Sequence, residues 1–133
     1  MAFTFNKEER LCSRQLIDRL YTEGHRLMAF PYSVQWLCLD TDTNHGKDNL
    51  CQVMIVAPKR KFKHAVDRNR VRRLTRECYR LRKPTFYQFL QEHNLQLVFS
   101  MVYIHNEIMS YDQLGHKMDK LLSSLEKEIT ATL

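Results

Sequence analysis

Glycine and proline are scarce in this 133-residue chain, at three each. With so little glycine there is no glycine-rich loop of the kind that cradles nucleotide phosphates. Cysteine is equally sparse in pattern. Cys12, Cys38, Cys51 and Cys78 stand 26, 13 and 27 positions apart, without the close pairs of a zinc site, so in a reducing compartment they are expected to be buried thiols. No uninterrupted apolar run approaches the roughly 18 residues that cross a bilayer. Met1 to Arg10 also lacks the basic stretch and apolar core of a signal peptide. A cytoplasmic chain with no membrane partner is expected. The histidines (His25, His45, His64, His93, His105 and His116) are scattered, and no paired acids stand near the basic residues. The residues therefore point to no catalytic group, no metal site and no small-molecule substrate.

What the chain has in quantity is localised charge. Lys59 to Lys83 holds twelve of the twenty-one Lys and Arg residues and only two acids, Asp67 and Glu77, so this stretch carries about +10 and the rest of the chain −4. A positive field concentrated in this way on a mildly acidic body is the footprint of a protein that docks on a polyanion, and nucleic acid is the expected partner. With 44% hydrophobic residues the chain can bury a real core, and its length suits one domain over residues 1–133.

Ser13 as N-cap, Leu16, Ile17, Leu20 and Tyr21 at helical spacing, and Gly24 as a stop predict a short amphipathic helix. Phe30–Leu39 and Leu50–Ala57, separated by the turn-rich Asp40–Asn49, read as an antiparallel hairpin. Alternation puts Tyr32, Val34 and Trp36 on one face of the first strand and Ser33, Gln35 and Leu37 on the other. After the basic loop 59–64 a long helix begins near Ala65 or Asp67 and ends before Pro84, where a second helix restarts and runs through Gln91. Leu95–Ile104 is the expected central strand. Ser110 and Gln113 form a capping box for a last helix with a stripe of Leu114, Met118, Leu121, Leu122, Leu125 and Ile129. The order α-β-β-α-β-α describes an α+β sheet with helices packed on it.

On the basic helix, Val71, Leu74, Cys78 and Leu81 share one arc, and Asn69, Arg72, Arg73, Arg76, Arg80 and Lys83 cluster opposite. Arginine suits phosphate because its planar fork makes paired hydrogen bonds and cannot lose its charge. Glu77 can pair with Arg73 or Arg80. Asn69 can accept helix N–H groups, contact phosphate or ribose, or hold a hydrated magnesium ion through water. A basic helix of this kind also suits a ribosomal or other nucleic-acid-binding protein without nuclease function.

Ala65-Val66-Asp67-Arg68-Asn69-Arg70-Val71-Arg72-Arg73-Leu74-Thr75-Arg76-Glu77 closely resembles the signature of the bacterial ribonuclease P protein component. Arg10-Leu11, Ile17, Leu20, Tyr21 and Gly24 resemble that family's opening helix, and Pro58 to Phe62 its basic loop. The resemblance implies a fold like the second domain of ribosomal protein S5, with a left-handed βαβ crossover. It implies an RNA-binding subunit of a ribonucleoprotein endonuclease that removes the 5′ leader of precursor tRNA. The catalytic RNA would hold the Mg2+ ions and perform the hydrolysis. Lys59, Arg60, Lys61, Lys63, Arg68, Asn69, Arg70, Arg72, Arg73, Arg76 and Arg80 would contact that RNA. Ile17, Tyr21, Tyr32 and Gln35 would line a cleft for the single-stranded leader. In the family Ile17 is usually Phe, and the loop at Lys61–Lys63 is usually shorter and bears a glycine.

Overall fold

The computed structural model describes residues 11, 13–39 and 51–132; the expectations for Met1–Arg10, Cys12 and the connection Asp40–Asn49 fall outside these. Helix α1 spans Arg14–Glu23 and is followed by strands β1 (His25–Ala29), β2 (Tyr32–Leu39) and β3 (Cys51–Val56). Helix α2 (Ala65–Glu92), strand β4 (Gln96–Tyr103) and helix α3 (Tyr111–Thr132) complete the order. The α+β class is as expected, with one strand more than the sequence suggested.

That extra strand changes the sheet. The four strands lie in the order β1-β2-β4-β3, antiparallel except for the parallel pair β3 and β4. The expected hairpin between Phe30–Leu39 and Leu50–Ala57 is therefore corrected, because β4 lies between them. The reason is burial: Leu97 to Met101 is an unbroken buried run, and a strand covered on both faces takes the centre of a sheet. The true hairpin joins β1 to β2 through Phe30-Pro31, a cis peptide.

Helix α1 starts at Ser13, whose hydroxyl accepts the Leu16 N–H at 3.3 Å, and stops at Gly24, whose N–H donates to Leu20 O at 3.0 Å. Glycine is needed there because a Cβ would stand 2.9 Å from the Trp36 carbonyl oxygen. The last helix opens with the expected reciprocal box, Gln113 N–H to Ser110 Oγ and Ser110 N–H to Gln113 Oε1. Its predicted apolar stripe is buried throughout.

Pro84 does not divide α2. Proline removes the bond to the Arg80 carbonyl and costs a helix interior about 3 kcal/mol. Here the same face buries Cys78 and Tyr79 before it and Phe86 and Leu90 after it, so packing against the sheet outweighs the missing bond. The buried arc is also rotated from the expected one: Thr75 and Tyr79 point in, and Leu81 is 45% exposed. Lys83, expected among the solvent-facing bases, is buried with its ammonium 5.6 Å from the Tyr87 ring centre.

Helices α2 and α3 cover one face of the sheet over a core that includes Tyr32, Trp36, Tyr79, Phe86, Phe99 and Tyr103. Helix α1 covers only part of the other face, through Leu20, Leu37, Leu39 and Val98.

Candidate nucleic-acid interface

The basic loop is held by an apolar pin. Pro58 turns the chain, its carbonyl accepting the Lys61 and Phe62 N–H groups, and Phe62 drops into the core against Tyr103, with ring centres 5.9 Å apart. Lys59, Arg60 and Lys63 are left exposed, while Lys61 ties the loop to Asn106 Oδ1 at 3.1 Å. Arg68 closes the turn from the helix side, donating to the Phe62 and Lys63 carbonyls at 2.8 Å each. This arginine therefore builds the surface as well as charging it.

Beyond the loop, α2 presents Asn69, Arg70 and Arg73 to solvent, with Arg68, Arg72, Arg76 and Arg80 half-buried. Asn69 Oδ1 accepts from Arg72 at 2.6 Å, so this amide orients an arginine fork, a contact outside the roles its sequence position suggested. Of the two arginines available to it, Glu77 takes Arg80, at 2.8 and 3.0 Å. The Arg80 guanidinium holds the Glu77 carboxyl below the usual carboxylate range. Arg82 is neutralised likewise by Asp119 at 2.6 Å. Free positive charge is thereby concentrated in the loop and in the turns of α2 before Glu77, where only Asp67 is acidic. Cations at a helix N-terminus oppose the macrodipole, and the same arrangement strengthens an anion-binding field.

A second feature lies on the open face of the sheet. A cleft of about 250 Å³ is lined by Tyr21, Arg26, Met28, Ser33, Gln35, Arg60, Ser100, Val102 and Ile104. Register explains the lining. Arg26 faces Gln35, Gln35 faces Ser100, and Met28, Ser33 and Val102 form the neighbouring row, so two rungs of the ladder place alternate side chains on one face. Tyr21 comes from α1, 47% exposed. Ser100 Oγ is buried in the floor without a hydrogen-bond partner. Arg60 belongs to the basic loop, so cleft and loop form one surface.

Of the predicted cleft residues, Tyr21 and Gln35 line this cleft. Ile17 is half-buried in the packing of α1 on the sheet. Tyr32 is corrected: it points to the opposite face, fully buried, with its hydroxyl 2.6 Å from Thr75 Oγ1, so its ring is closed to a ligand. Burial also pushes its phenol up. The lining residues that the sequence did not single out, Arg26, Met28, Ser33 and Ser100 among them, come from β1 and from the polar rung across it. Alternation from Gln35 predicts Ser33; the others need the pairing partners of β2.

Among the described residues no three His, Cys, Asp or Glu side chains group as a metal site. Asn69 Oδ1 already accepts from Arg72, and the guanidinium groups around it repel a divalent cation in direct contact. Cys38, Cys51 and Cys78 form no disulfide, and Cys51 Sγ accepts from the Tyr79 hydroxyl at 3.5 Å. No helix among the described residues is long and apolar enough to cross a membrane.

Known proteins match this chain in sequence and in fold over most of its length. The family model for ribonuclease P matches residues 5–126. The ribonuclease P protein component of Porphyromonas gingivalis is 32% identical over 120 residues, covering 90% of this chain and 85% of the relative. That of Petrotoga mobilis is 28% identical over 130 residues, covering 92% and 96%. The RNase P protein of Staphylococcus aureus has the same fold at a TM-score of 0.65 and 19% identity, over 88% of this chain and 94% of that one. The RNase P protein of Thermotoga maritima gives 0.64 and 19%, over 86% and 94%. With its basic helix, its sheet and nearly its whole length matched, this chain belongs to the ribonuclease P protein family.

Proposed function

We propose that this chain is the RNA-binding subunit of a ribonucleoprotein endonuclease that removes the 5′ leader of precursor tRNA. The loop 59–63 and the first half of α2 dock on the catalytic RNA, and the cleft beside α1 takes the single-stranded leader. The RNA performs the phosphodiester hydrolysis and holds the magnesium. The observation that carries this reading is the continuity of two surfaces through Arg60: a concentrated cationic patch suited to folded RNA, and a cleft with an exposed aromatic and two arginines suited to an unpaired strand. Protein side chains then act by neutralising phosphates and holding the substrate in place.

The test is multiple-turnover cleavage of a leader-bearing precursor tRNA at low magnesium, comparing a bacterial ribonuclease P RNA alone, this protein alone, and both. Efficient cleavage at the 5′ boundary by the mixture only is the expected result. No gain from the protein would return the chain to the wider class of groove-binding basic proteins, and cleavage by the protein alone would move the chemistry into the chain. Arg70→Ala and Arg73→Ala, both exposed, should each weaken docking to the RNA and lower the slope of log affinity against log salt by about 1. An unchanged slope in both would remove α2 from the interface.

A further inference from the structure

Six large apolar side chains are exposed among the described residues, and three of them, Tyr21, Met28 and Phe30, lie in or next to the elements that line the cleft. Tyr21 and Met28 line it. Phe30 comes two positions after Met28, in the turn that follows β1, so the alternation that turns Arg26 and Met28 toward the cleft stops just short of it. On the neighbouring side the same alternation runs from Ser100 through Val102 to Ile104. The two rims are tied where they meet, by the Ile104 N–H donating to the Pro31 carbonyl at 2.8 Å.

At that junction Phe30 is 48% exposed and rests on the ring of His105, with centroids 5.1 Å apart. His105 lies in turn 6.4 Å from the ring of Tyr103. Tyr103 is immobilised by burial and by two hydrogen bonds of its hydroxyl, to Glu107 O at 2.7 Å and from Met109 N–H at 3.0 Å. An exposed phenylalanine alone is ordinary. One braced from behind by a row of rings, and left open beside a groove whose charged lining is Arg26 and Arg60 with no acid, has the makings of a base-stacking surface.

We propose that Phe30, braced by His105, is a second stacking platform that takes the nucleobase next to the one held in the cleft. The inference rests on the leader-binding reading above. The occupant is single-stranded RNA, because the adjoining groove is cationic and the ring stands at its end. In this chain the platform also supplies an aromatic face that Ile17, half-buried between α1 and the sheet, does not. Phe30 is thus a positioning residue for the leader and takes no part in bond breaking.

The experiment uses the holoenzyme assembled from this protein and a bacterial ribonuclease P RNA, with precursor tRNA leaders carrying 2-aminopurine at successive positions. Stacking quenches that fluorophore. One leader position should be quenched in the wild type, released in Phe30→Leu and quenched again in Phe30→Trp, which restores a π face. Phe30→Leu should weaken binding of leaders that reach this position by about 5- to 10-fold, the lower part of what base stacking supplies. Leaders cut short of it should bind Phe30→Leu and wild type alike. If Phe30→Leu matches the wild type in quenching and affinity while Arg60→Ala weakens leader binding, the platform is wrong and the cleft reading stands. Affinity of the wild type that does not depend on leader length would overturn both. A protein dimer in sedimentation that Phe30→Leu dissolves would assign the patch to a contact between copies and overturn the platform.

Discussion

Phe99 and Ser100 are neighbours on β4, buried to 0% and 1% exposure, and they face opposite ways. Phe99 enters an aromatic cluster with Tyr79 and Phe86 at centroid distances of 5.9 and 6.1 Å. The fully buried tyrosine hydroxyls on that side have partners: Tyr32 with Thr75, Tyr79 with Cys51 Sγ, Tyr103 with the Glu107 carbonyl. Ser100 lies in the floor of the cleft with no partner for its hydroxyl. One face of the sheet is closed by two helices, and its buried tyrosine hydroxyls are paired. The other is half closed by one short helix and keeps polar groups in reserve. On the proposed function, stability and recognition are divided between the two faces of a single sheet, which lets the open face carry arginine, glutamine and serine without weakening the core.

The division is tested most severely at Phe99. Phe99→Ala empties the centre of the aromatic cluster and should cost about 3–5 kcal/mol, as large-to-small changes of buried aromatics do. Urea unfolding followed by circular dichroism would measure it. A cost below about 1 kcal/mol would mean that the closed face does not hold the fold together.

The two tyrosines expected in the cleft sharpen the comparison at a smaller scale. Tyr32→Phe strands the buried Thr75 hydroxyl and should destabilise by about 1–2 kcal/mol, with leader affinity unchanged. Tyr21→Ala should do the reverse, leaving stability nearly as it was and weakening the leader. Thermal melts and leader binding of the same two variants separate the roles. If both variants lose stability and neither loses leader affinity, α1 is merely another piece of core.

How far the sequence disclosed this arrangement depended on the range of the interactions. Ser13, Gly24 and the Ser110–Gln113 box act within one helical turn, and each helix end they predicted is where they put it. The charge of Lys59 to Lys83 was equally plain, since it needs no partner to be counted. The pairing of strands is a nonlocal choice. Nothing in β2 or β3 alone says that β4 will come between them, and β1, with His25 and Arg26 directly after a helix-ending glycine, resembles a loop until Trp36 and Gln35 pair with it. The cleft suffered most from this. The resemblance named both Gln35 and Tyr32 for the cleft although alternation puts them on opposite faces; Gln35 lines it, joined by Arg26 and Ser100 through cross-strand register, and Tyr32 lies with Val34 and Trp36 in the core. The continuity of α2 through Pro84 was hidden for a related reason, because the packing that overrides the missing bond comes from the sheet.

The smallest effect discriminates most finely. Ser100→Ala removes one oxygen from a residue as buried as Phe99, and a buried serine in a satisfied network would cost about 1–3 kcal/mol to truncate. Here the hydroxyl has no partner to lose, so its removal gives back part of the penalty of burying a bare polar group. The expected change lies between zero and about 1 kcal/mol of added stability, read from the shift in urea midpoint at constant slope. Destabilisation beyond about 0.5 kcal/mol would show that the cleft floor is knit as tightly as the core opposite. The contrast between the faces would then be one of shape alone.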